Sequence, residues 1–179
     1  MLLRLVEGLW VRIPPGFLIR KNMIPEVTIY SDGAAQPNPG KGGYGSVLIF
    51  GKHRKELFQG YKVSTNNRME LLGAIVALEA LKKQSKVNLY TDSQYVVNGI
   101  EKGWARGWKS RGWKLGSGKP AKNPDLWDRL LIATEKHEVK LHWVKGHNGD
   151  IENERCDQLA VDAANSNNLI DDIGYSPNE

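Results

Sequence analysis

The order of apolar segments along the chain limits the folds that it can adopt. Three segments with the composition of strands, 27–31, 43–50 and 55–63, follow one another across short glycine-containing turns, which predicts an antiparallel meander. Two later strands, 87–91 and 139–144, each follow a segment of helical length. The sequence therefore predicts an α/β fold with a five-stranded mixed sheet, in which the meander of three strands precedes two further strands and helices cover both faces.

Five segments between and after these strands predict helices. The segment 67–84 has dense apolar positions and a lysine-rich end, which is typical of a long helix. A tryptophan-rich segment, 101–122, predicts a helix followed by a loop. The remaining predicted helices cover 93–100, 123–137 and 152–166.

The length of 179 residues predicts one domain with a core of ordinary size, which we assign to residues 25–179. Arginines and a Pro-Pro-Gly turn interrupt the apolar residues of 1–24, so this segment resembles neither a secretory signal nor a membrane span. We interpret 1–24 as a loosely ordered extension. A second interpretation, that translation begins at Met23, stays open.

The cysteine and histidine content limits the chemistry of the chain. Cys156 is its single cysteine, which excludes an internal disulfide framework, and the four histidines do not form a zinc-type pattern. This composition favours a reducing compartment, and we expect a cytoplasmic protein that does not bind membranes.

The excess positive charge of the chain is concentrated in 101–122, EKGWARGWKSRGWKLGSGKPAK. Seven lysines and arginines stand there against one glutamate, a local charge of +6 in a chain whose net charge is +5. Three tryptophans recur at intervals of four to five residues. One interpretation is a solvated basic helix whose tryptophans pack on the core, and the other is a surface that contacts a phosphate backbone.

Four carboxylates are candidates for a functional site, and each has an ordinary structural alternative. Asp32 follows an apolar strand at an Asp-Gly pair and could start a turn. Asp92 or Ser93 could be the N-cap of the next helix, and Glu70 could belong to a capping arrangement. Asp157 could be an exposed helical acid.

The periodicity of the sequence weakens the structural alternatives for two of these acids. Glu70 and Asp157 each share a helical face with apolar positions, so both lean towards the packed side. Asp32 and Asp92 are each predicted to end a buried strand and would emerge at one sheet edge if the strands were neighbours. Two unit charges about 4 Å apart repel by roughly 4 kcal/mol at an effective dielectric near 20, so gathered acids need cations or protons. An all-oxygen donor set favours Mg2+.

Several motifs of the chain, and the order in which they occur, resemble those of ribonuclease H of the bacterial type 1 kind. The resemblance extends from about residue 26 to the DIGY motif near the end and covers nearly all of the chain. The segments that carry it are SDGAAQPNPGKGGYG, TNNRMELLGAIVALEAL, TDSQYVVNGI, the tryptophan-rich basic segment, KNPDLW, WVKGHNG and NERCDQLA.

The resemblance implies roles for individual residues. Asp32, Glu70, Asp92 and Asp157 match the four metal-binding carboxylates of the family. His147 matches its mobile histidine, which aids proton transfer or product release.

The resemblance also implies a set of substrate contacts. Contacts with the nucleic-acid backbone and sugars near the cut fall on Asn38, Asn66 and Gln94, and contacts with a phosphate of the DNA strand on Thr65 and Asn123. The substrate-gripping part of the basic segment comprises Trp104, Trp108, Lys109, Arg111, Trp113 and Lys114.

The activity that the resemblance implies is endonucleolytic hydrolysis of the RNA strand of RNA/DNA hybrids, with 5'-phosphate and 3'-hydroxyl products. Two Mg2+ ions would be the cofactors, with Mn2+ as an alternative, and the enzyme would act as a monomer. Two departures stand out: Val63 replaces an arginine common at the DNA-phosphate position, and 1–24 has no counterpart in the short bacterial enzymes.

Three other functions fit the sequence less well than that of a nuclease. A P-loop is disfavoured because the glycine-rich stretch lacks the lysine and hydroxyl residue that follow the last glycine of that motif. An integrase-like transferase normally needs additional DNA-binding domains. A module that binds hybrids without cutting them would leave the four acids without a purpose.

Overall fold

The computed structural model describes residues 2–4, 10–12 and 24–177. Strands β1 (Leu2–Arg4) and β2 (Trp10–Arg12) pair with each other in antiparallel fashion. Most of the predicted loose extension, 1–24, lies outside the described residues, so its predicted lack of order stays a prediction.

The main sheet has six strands rather than the predicted five. The strands are β3 (Glu26–Gln36), β4 (Gly40–Phe50), β5 (His53–Ser64), β6 (Lys86–Thr91), β7 (Glu138–Trp143) and β8 (Leu169–Ile170). Their spatial order is β7-β6-β3-β4-β5-β8. The additional strand, β8, was missed because it is only two residues long, too short for a recognisable alternation of apolar side chains.

The pairing directions confirm the predicted mixed sheet. β3, β4 and β5 form the antiparallel meander, joined by tight connections. β6 lies parallel to β3 on its other side, and β7 lies parallel to β6. The edge strand β8 is parallel to β5.

The glycine-rich stretch is strand for most of its length, not the turn that the sequence predicts. β3 continues through Asp32 to Gln36 and remains paired with β4 as far as Gln36 and Lys41. The prediction that Asp32 ends its strand is therefore wrong. The glycines keep this part of the sheet free of side chains where helices lie close to it: a Cβ at Gly33 would collide with the backbone of Met69 and Glu70.

The helices match the predicted set in number and order, with one boundary error. The first ends at Glu79, five residues before the predicted end, because the chain must turn back to begin β6 at Lys86. No helix among the described residues is long and apolar enough to cross a membrane. The helices are α1 (Asn66–Glu79), α2 (Gln94–Glu101), α3 (Trp104–Ser110), α4 (Pro124–Glu135) and α5 (Ile151–Ala164).

Helices cover both faces of the sheet, as predicted. α5 packs directly on the meander, where a Cβ at Gly45 would collide with the backbone of Cys156. α1 packs on the opposite face, with α4 beside it. The larger core lies on the α1 side, and its largest fully buried side chains include Ile29, Met69, Leu71, Ile75, Leu78, Leu89 and Trp127.

Candidate active site

The parallel register of β3 and β6 brings two of the candidate acids side by side. Its last paired residues are Tyr30 and Tyr90, and Asp32 and Asp92 each lie two residues further along their chains. The expectation that the two strands are neighbours is confirmed. The site therefore lies where β6 ends and β3 continues with β4 as its only partner.

Asp32 is the most buried of the four acids, with 8% of its surface exposed. The Gly33 N–H donates a hydrogen bond to its Oδ1 at 2.7 Å. Burial raises the pKa of Asp32 to about 8, and the negative charge of Asp92 adds to the rise, as do those of Asp157 and Glu70, against the opposing effect of the Gly33 N–H. The carboxyl of Asp32 thus lies within the field of all three other acids.

Glu70 reaches the site from the second turn of α1. The Ser93 hydroxyl donates a hydrogen bond to its Oε2. Burial raises the pKa of Glu70; the Ser93 hydroxyl opposes that rise and the charge of Asp92 adds to it. The capping alternative for Glu70 is wrong, because α1 is capped by Thr65, whose hydroxyl accepts the Arg68 N–H.

Asp92 does not cap the helix that follows it. Ser93 is the N-cap of α2, and its hydroxyl oxygen accepts the Val96 N–H at 3.2 Å. Asp92 is half-buried, and its carboxylate lies against Gly146, where a Cβ would stand 2.5 Å from Oδ2. The Asp92 carboxylate is therefore not used as a helix cap, and it lies beside the loop that contains Gly146.

Asp157 comes from the helix on the opposite face. α5 touches β4 at Gly45, which is the residue paired with Asp32, and this contact places Asp157 near the buried aspartate. Asp157 is half-buried, so the alternative of a fully exposed helical acid is wrong. Four separate elements thus bring the four carboxylates together.

The donor atoms of this cluster suit a metal ion in type but not yet in arrangement. All its donors are carboxylate oxygens, and burial together with the charges of the neighbouring acids raises the pKa of Asp32, so the chemistry suits a hard divalent cation. Within residues 24–177, however, no group of three or more acidic, histidine or cysteine side chains is already arranged to hold a metal ion. The donor type fits Mg2+, and the binding of Mg2+ stays a prediction.

His147 lies in the loop that joins β7 to α5. Its side chain is exposed and its backbone has a positive φ of 51°. The preceding residue, Gly146, contacts the Asp92 carboxylate, so the loop borders the acid cluster.

Three of the predicted substrate contacts gather at the N-terminus of α1. Asn38 lies in the turn between β3 and β4, and its Oδ1 accepts the Asn66 N–H at 3.2 Å. The Asn66 side chain in turn accepts the Ala35 N–H at 2.6 Å. Thr65 precedes Asn66 and is the N-cap of α1. Gln94 stands apart from this group, exposed at the first position of α2.

Asn123 is linked to this helix end by an arginine that the sequence did not single out. Arg68 is 3% exposed and forms ion pairs with Asp125 at 2.8 Å and Asp172 at 2.7 Å. Its Nη1 also lies 3.5 Å from the Asn123 Oδ1. Arg68 was missed because a charged residue on the packed side of a helix gives no signal until its partners are known.

The basic segment contains both side chains that pack on the core and side chains that are exposed. Trp108 and Trp113 are partly buried and pack against the core, as the solvated-helix interpretation requires. Trp104 is exposed, with the Lys102 Nζ 5.3 Å from its ring centroid. Lys109 forms an ion pair with Asp128 at 2.6 Å.

The remaining cations of the segment differ in how they are held. Arg111 donates from Nε to the Lys114 carbonyl at 3.3 Å, which folds its guanidinium back onto the segment. Lys114 is exposed.

Comparisons with known proteins place the chain in a family. The family described as RNase H matches residues 25–165. The chain is 60% identical over 150 residues to a Ribonuclease H of Desulforamulus reducens, which covers 84% of this chain and 94% of that protein. It is 55% identical over 148 residues to the Ribonuclease HI of Synechocystis sp., covering 82% of this chain and 92% of that protein.

Comparison with solved structures indicates the same family. The chain resembles LC9-RNase H1, described as a type 1 RNase H with the type 2 active-site motif, with a TM-score of 0.72 and 30% identity over 86% of this chain and 80% of that one. LC11-RNase H1 in complex with an RNA/DNA hybrid, at 21% identity and a TM-score of 0.59, covers 77% of this chain and 96% of that one and shares the fold. The chain therefore belongs to the ribonuclease H family, type 1, whose enzymes degrade the RNA strand of RNA/DNA hybrids.

Proposed function

We propose that this protein is an endonuclease that hydrolyses the RNA strand of RNA/DNA hybrids with the help of two divalent metal ions. The observation that supports the proposal most directly is the cluster of four carboxylates that includes the buried Asp32. Four elements bring these acids together against their mutual repulsion. Such an arrangement costs stability unless cations are bound there, and it is typical of a site that binds them.

Asp32, Glu70, Asp92 and Asp157 would hold two Mg2+ ions, or Mn2+ in their place. When bound, such ions activate a water for attack on the scissile phosphate and stabilise the leaving oxygen, which leaves 5'-phosphate and 3'-hydroxyl ends. The carboxylates orient the reacting groups, and no covalent intermediate with the protein is required.

His147 would act from the exposed loop at the border of the cluster. An imidazole there can exchange a proton with solvent or with the departing product. We assign His147 a role in proton transfer or product release.

Recognition of the RNA strand would depend on the residues at the end of α1. Asn38 and Asn66 are held by hydrogen bonds, together with the nearby backbone, and so present fixed polar groups to the minor groove, where 2'-hydroxyls are displayed. Gln94 would add a contact with the backbone near the cut. Such contacts do not read base edges, so we expect little sequence preference.

Contact with the DNA strand would fall on Thr65 and Asn123, which begin two helices whose N-termini favour anions. The basic segment would extend the contact through Trp104, Trp108, Lys109, Arg111, Trp113 and Lys114. One chain supplies all of these groups, which supports action as a monomer. The single thiol, Cys156, is buried, in keeping with our proposal of a cytoplasmic enzyme.

A substrate panel tests the proposal. Labelled RNA/DNA hybrid, duplex RNA and duplex DNA are incubated with the protein, with Mg2+ and with EDTA, and the product ends are identified. We expect internal cuts in the RNA of the hybrid alone, and only with Mg2+. Binding of the hybrid without cutting would favour a binding module, and joined strands would favour a transferase.

A further inference from the structure

The last residue of β7 contacts the backbone of one of the acids. The indole Nε1–H of Trp143 donates to the Asp92 carbonyl oxygen at 2.9 Å. The indole is otherwise poorly covered, with 48% of the residue exposed. A large aromatic side chain at the end of an edge strand, anchored through its one polar atom, contributes little to the core.

The loop that follows Trp143 makes two more contacts, one with the residue before Asp92 and one with the Asp92 carboxylate. The Val144 N–H donates to the Thr91 carbonyl at 3.0 Å, which extends the pairing of β6 and β7 by one step. Gly146 then passes so close to the Asp92 carboxylate that a Cβ would lie 2.5 Å from Oδ2. The backbone of Asp92, the backbone before it and its carboxylate are all contacted by residues 143–146.

Asp92 needs such support because of where it lies. It lies between Thr91, the last residue of β6, and Ser93, the N-cap of α2, so it belongs to neither element. When both carboxyls are ionised, the charges of Asp92 and Asp32 repel each other, and the repulsion favours displacement of the Asp92 carboxylate. The contacts from residues 143–146 oppose that displacement.

We propose that Trp143 and Gly146 are positioning residues that set the place and direction of the Asp92 carboxylate for metal binding. Trp143 acts on the backbone, and Gly146 acts by leaving room for the carboxylate. This inference rests on the proposed function, since it assigns the residues a task at the metal site. Neither residue touches the reacting groups.

The first variant, Trp143→Phe, keeps an aromatic ring and removes the N–H donor. Because the indole is half exposed, the change in buried apolar area is small and the fold should persist. We expect calorimetric titration of the metal-free protein with MgCl2 to show roughly tenfold weaker binding, the lower end of what loss of a contact to a metal ligand costs. At saturating Mg2+, the KM for the hybrid should match that of the wild type.

The second variant, Gly146→Ala, perturbs the carboxylate rather than the backbone. The added methyl group occupies the space of Oδ2, so Asp92 must turn away, and Mg2+ binding should again weaken with the hybrid KM unchanged. Phe50→Leu is the control for the first variant, because Phe50 is also half exposed but lies at the far end of the sheet. Gly116→Ala is the control for the second, since a Cβ there meets nothing within 4 Å.

Wild-type Mg2+ affinity in both variants would overturn the proposal. So would loss of the cooperative thermal transition in both, because the contacts would then hold the fold rather than one carboxylate. If the wild type itself neither bound Mg2+ nor cut the hybrid, the proposed function would fail and the positioning role with it. If the wild type did both and the variants behaved like it, the positioning role alone would fail.

Discussion

The acid cluster and the basic segment carry charge of opposite sign and are assembled in opposite ways. The acids come from β3, α1, the end of β6 and α5, and they meet only in the folded chain. The cations of the basic segment, 101–122, lie close together in the sequence. The ones that we assign to substrate contact are exposed. One region concentrates charge through tertiary structure, and the other through composition.

The two arrangements of charge also differ in their effects on ionisation and on stability. In the acid cluster, burial and like charges raise the pKa of Asp32 to about 8, so the fold holds a carboxyl that resists ionisation near neutral pH. In the basic segment, water screens the cations, and the Lys109–Asp128 pair at the surface contributes little to stability. Crowded buried charge suits catalysis with cations, whereas dispersed surface charge suits association with a polyanion.

The largest expected effect comes from neutralising one acid of the cluster. Asp32→Asn or Asp92→Asn should reduce Mg2+-dependent cleavage by at least about 10³-fold, because a bound metal ion supplies several kcal/mol of transition-state stabilisation. Hybrid binding should persist in both variants and strengthen in Asp92→Asn, since that change removes a negative charge that faces the backbone. The measurement is cleavage of a labelled hybrid together with binding in EDTA; cleavage at the wild-type rate would refute the assignment.

A second prediction concerns stability and follows from the raised pKa of Asp32. As the pH rises from about 4 to about 8, the unfolded carboxyl loses its proton while the folded one keeps it, so the free energy of unfolding falls. Asp32→Asn lacks this loss and should melt about 5 °C higher than the wild type at pH 8 without metal. The difference should shrink towards pH 4.

Thermal melts at pH 4, 6 and 8, with EDTA and with MgCl2, check this prediction. Mg2+ should raise the melting temperature of the wild type most at pH 8, where the acids ionise most readily. A difference between the two proteins that stayed constant with pH would mean that Asp32 is not held in its protonated form by the fold.

A smaller effect is expected in the basic segment. Replacement of Lys109, Arg111 and Lys114 with alanine should weaken hybrid binding roughly tenfold and flatten its salt dependence by about one unit of slope for each lost phosphate contact. The rate of cleavage at saturating hybrid should change little, because the acid cluster is untouched.

The matched control removes the same charge from the far end of the sheet, with alanine at Lys52, Lys55 and Lys86, which are also exposed. Because Lys109 is already paired with Asp128, its single replacement should change the slope less than that of Lys114. An unchanged slope in the triple variant would return the segment to the role of a solvated basic helix.

The smallest expected effect is a gain of affinity at Val63. This residue is 48% exposed, close to Thr65 at the start of α1, and its neighbour Lys62 is paired with Asp171 at 3.1 Å. Val63→Arg should tighten hybrid binding severalfold and steepen the salt slope by about one, through a new phosphate contact. Val63→Gln is the neutral control, and equal affinities of the two variants would show that no phosphate lies within reach.

Much of the fold could be predicted from the sequence because its elements carry strong local signals. The long apolar helix, the meander and the two later strands all form where the periodicity predicts them, and Pro124 begins α4 as an early proline should. Errors occurred where tertiary contacts override local preference. β3 continues through Gly33 because α1 packs directly on it, and β8 forms only because β5 offers it an edge.

The site was predicted in part, for a related reason. The four acids were recognised by the motifs around them, and the burial of Glu70 and Asp157 was indicated by the apolar helical faces on which they lie. Their supporting residues were not. Ser93 beside Glu70, Trp143 beside Asp92, and Arg68 between Asp125 and Asp172 are ordinary residues until the fold supplies their partners.

The sequence alone determined the fold class, the family resemblance and the location of the basic segment, because periodicity, motif order and charge density are properties of neighbouring residues. Only the tertiary structure decided that Asp32 lies inside a strand, that its carboxyl is surrounded by three other acids, and that the end of β7 contacts Asp92. The physical reason is that burial and electrostatic repulsion depend on distances through space, which the order of residues does not record.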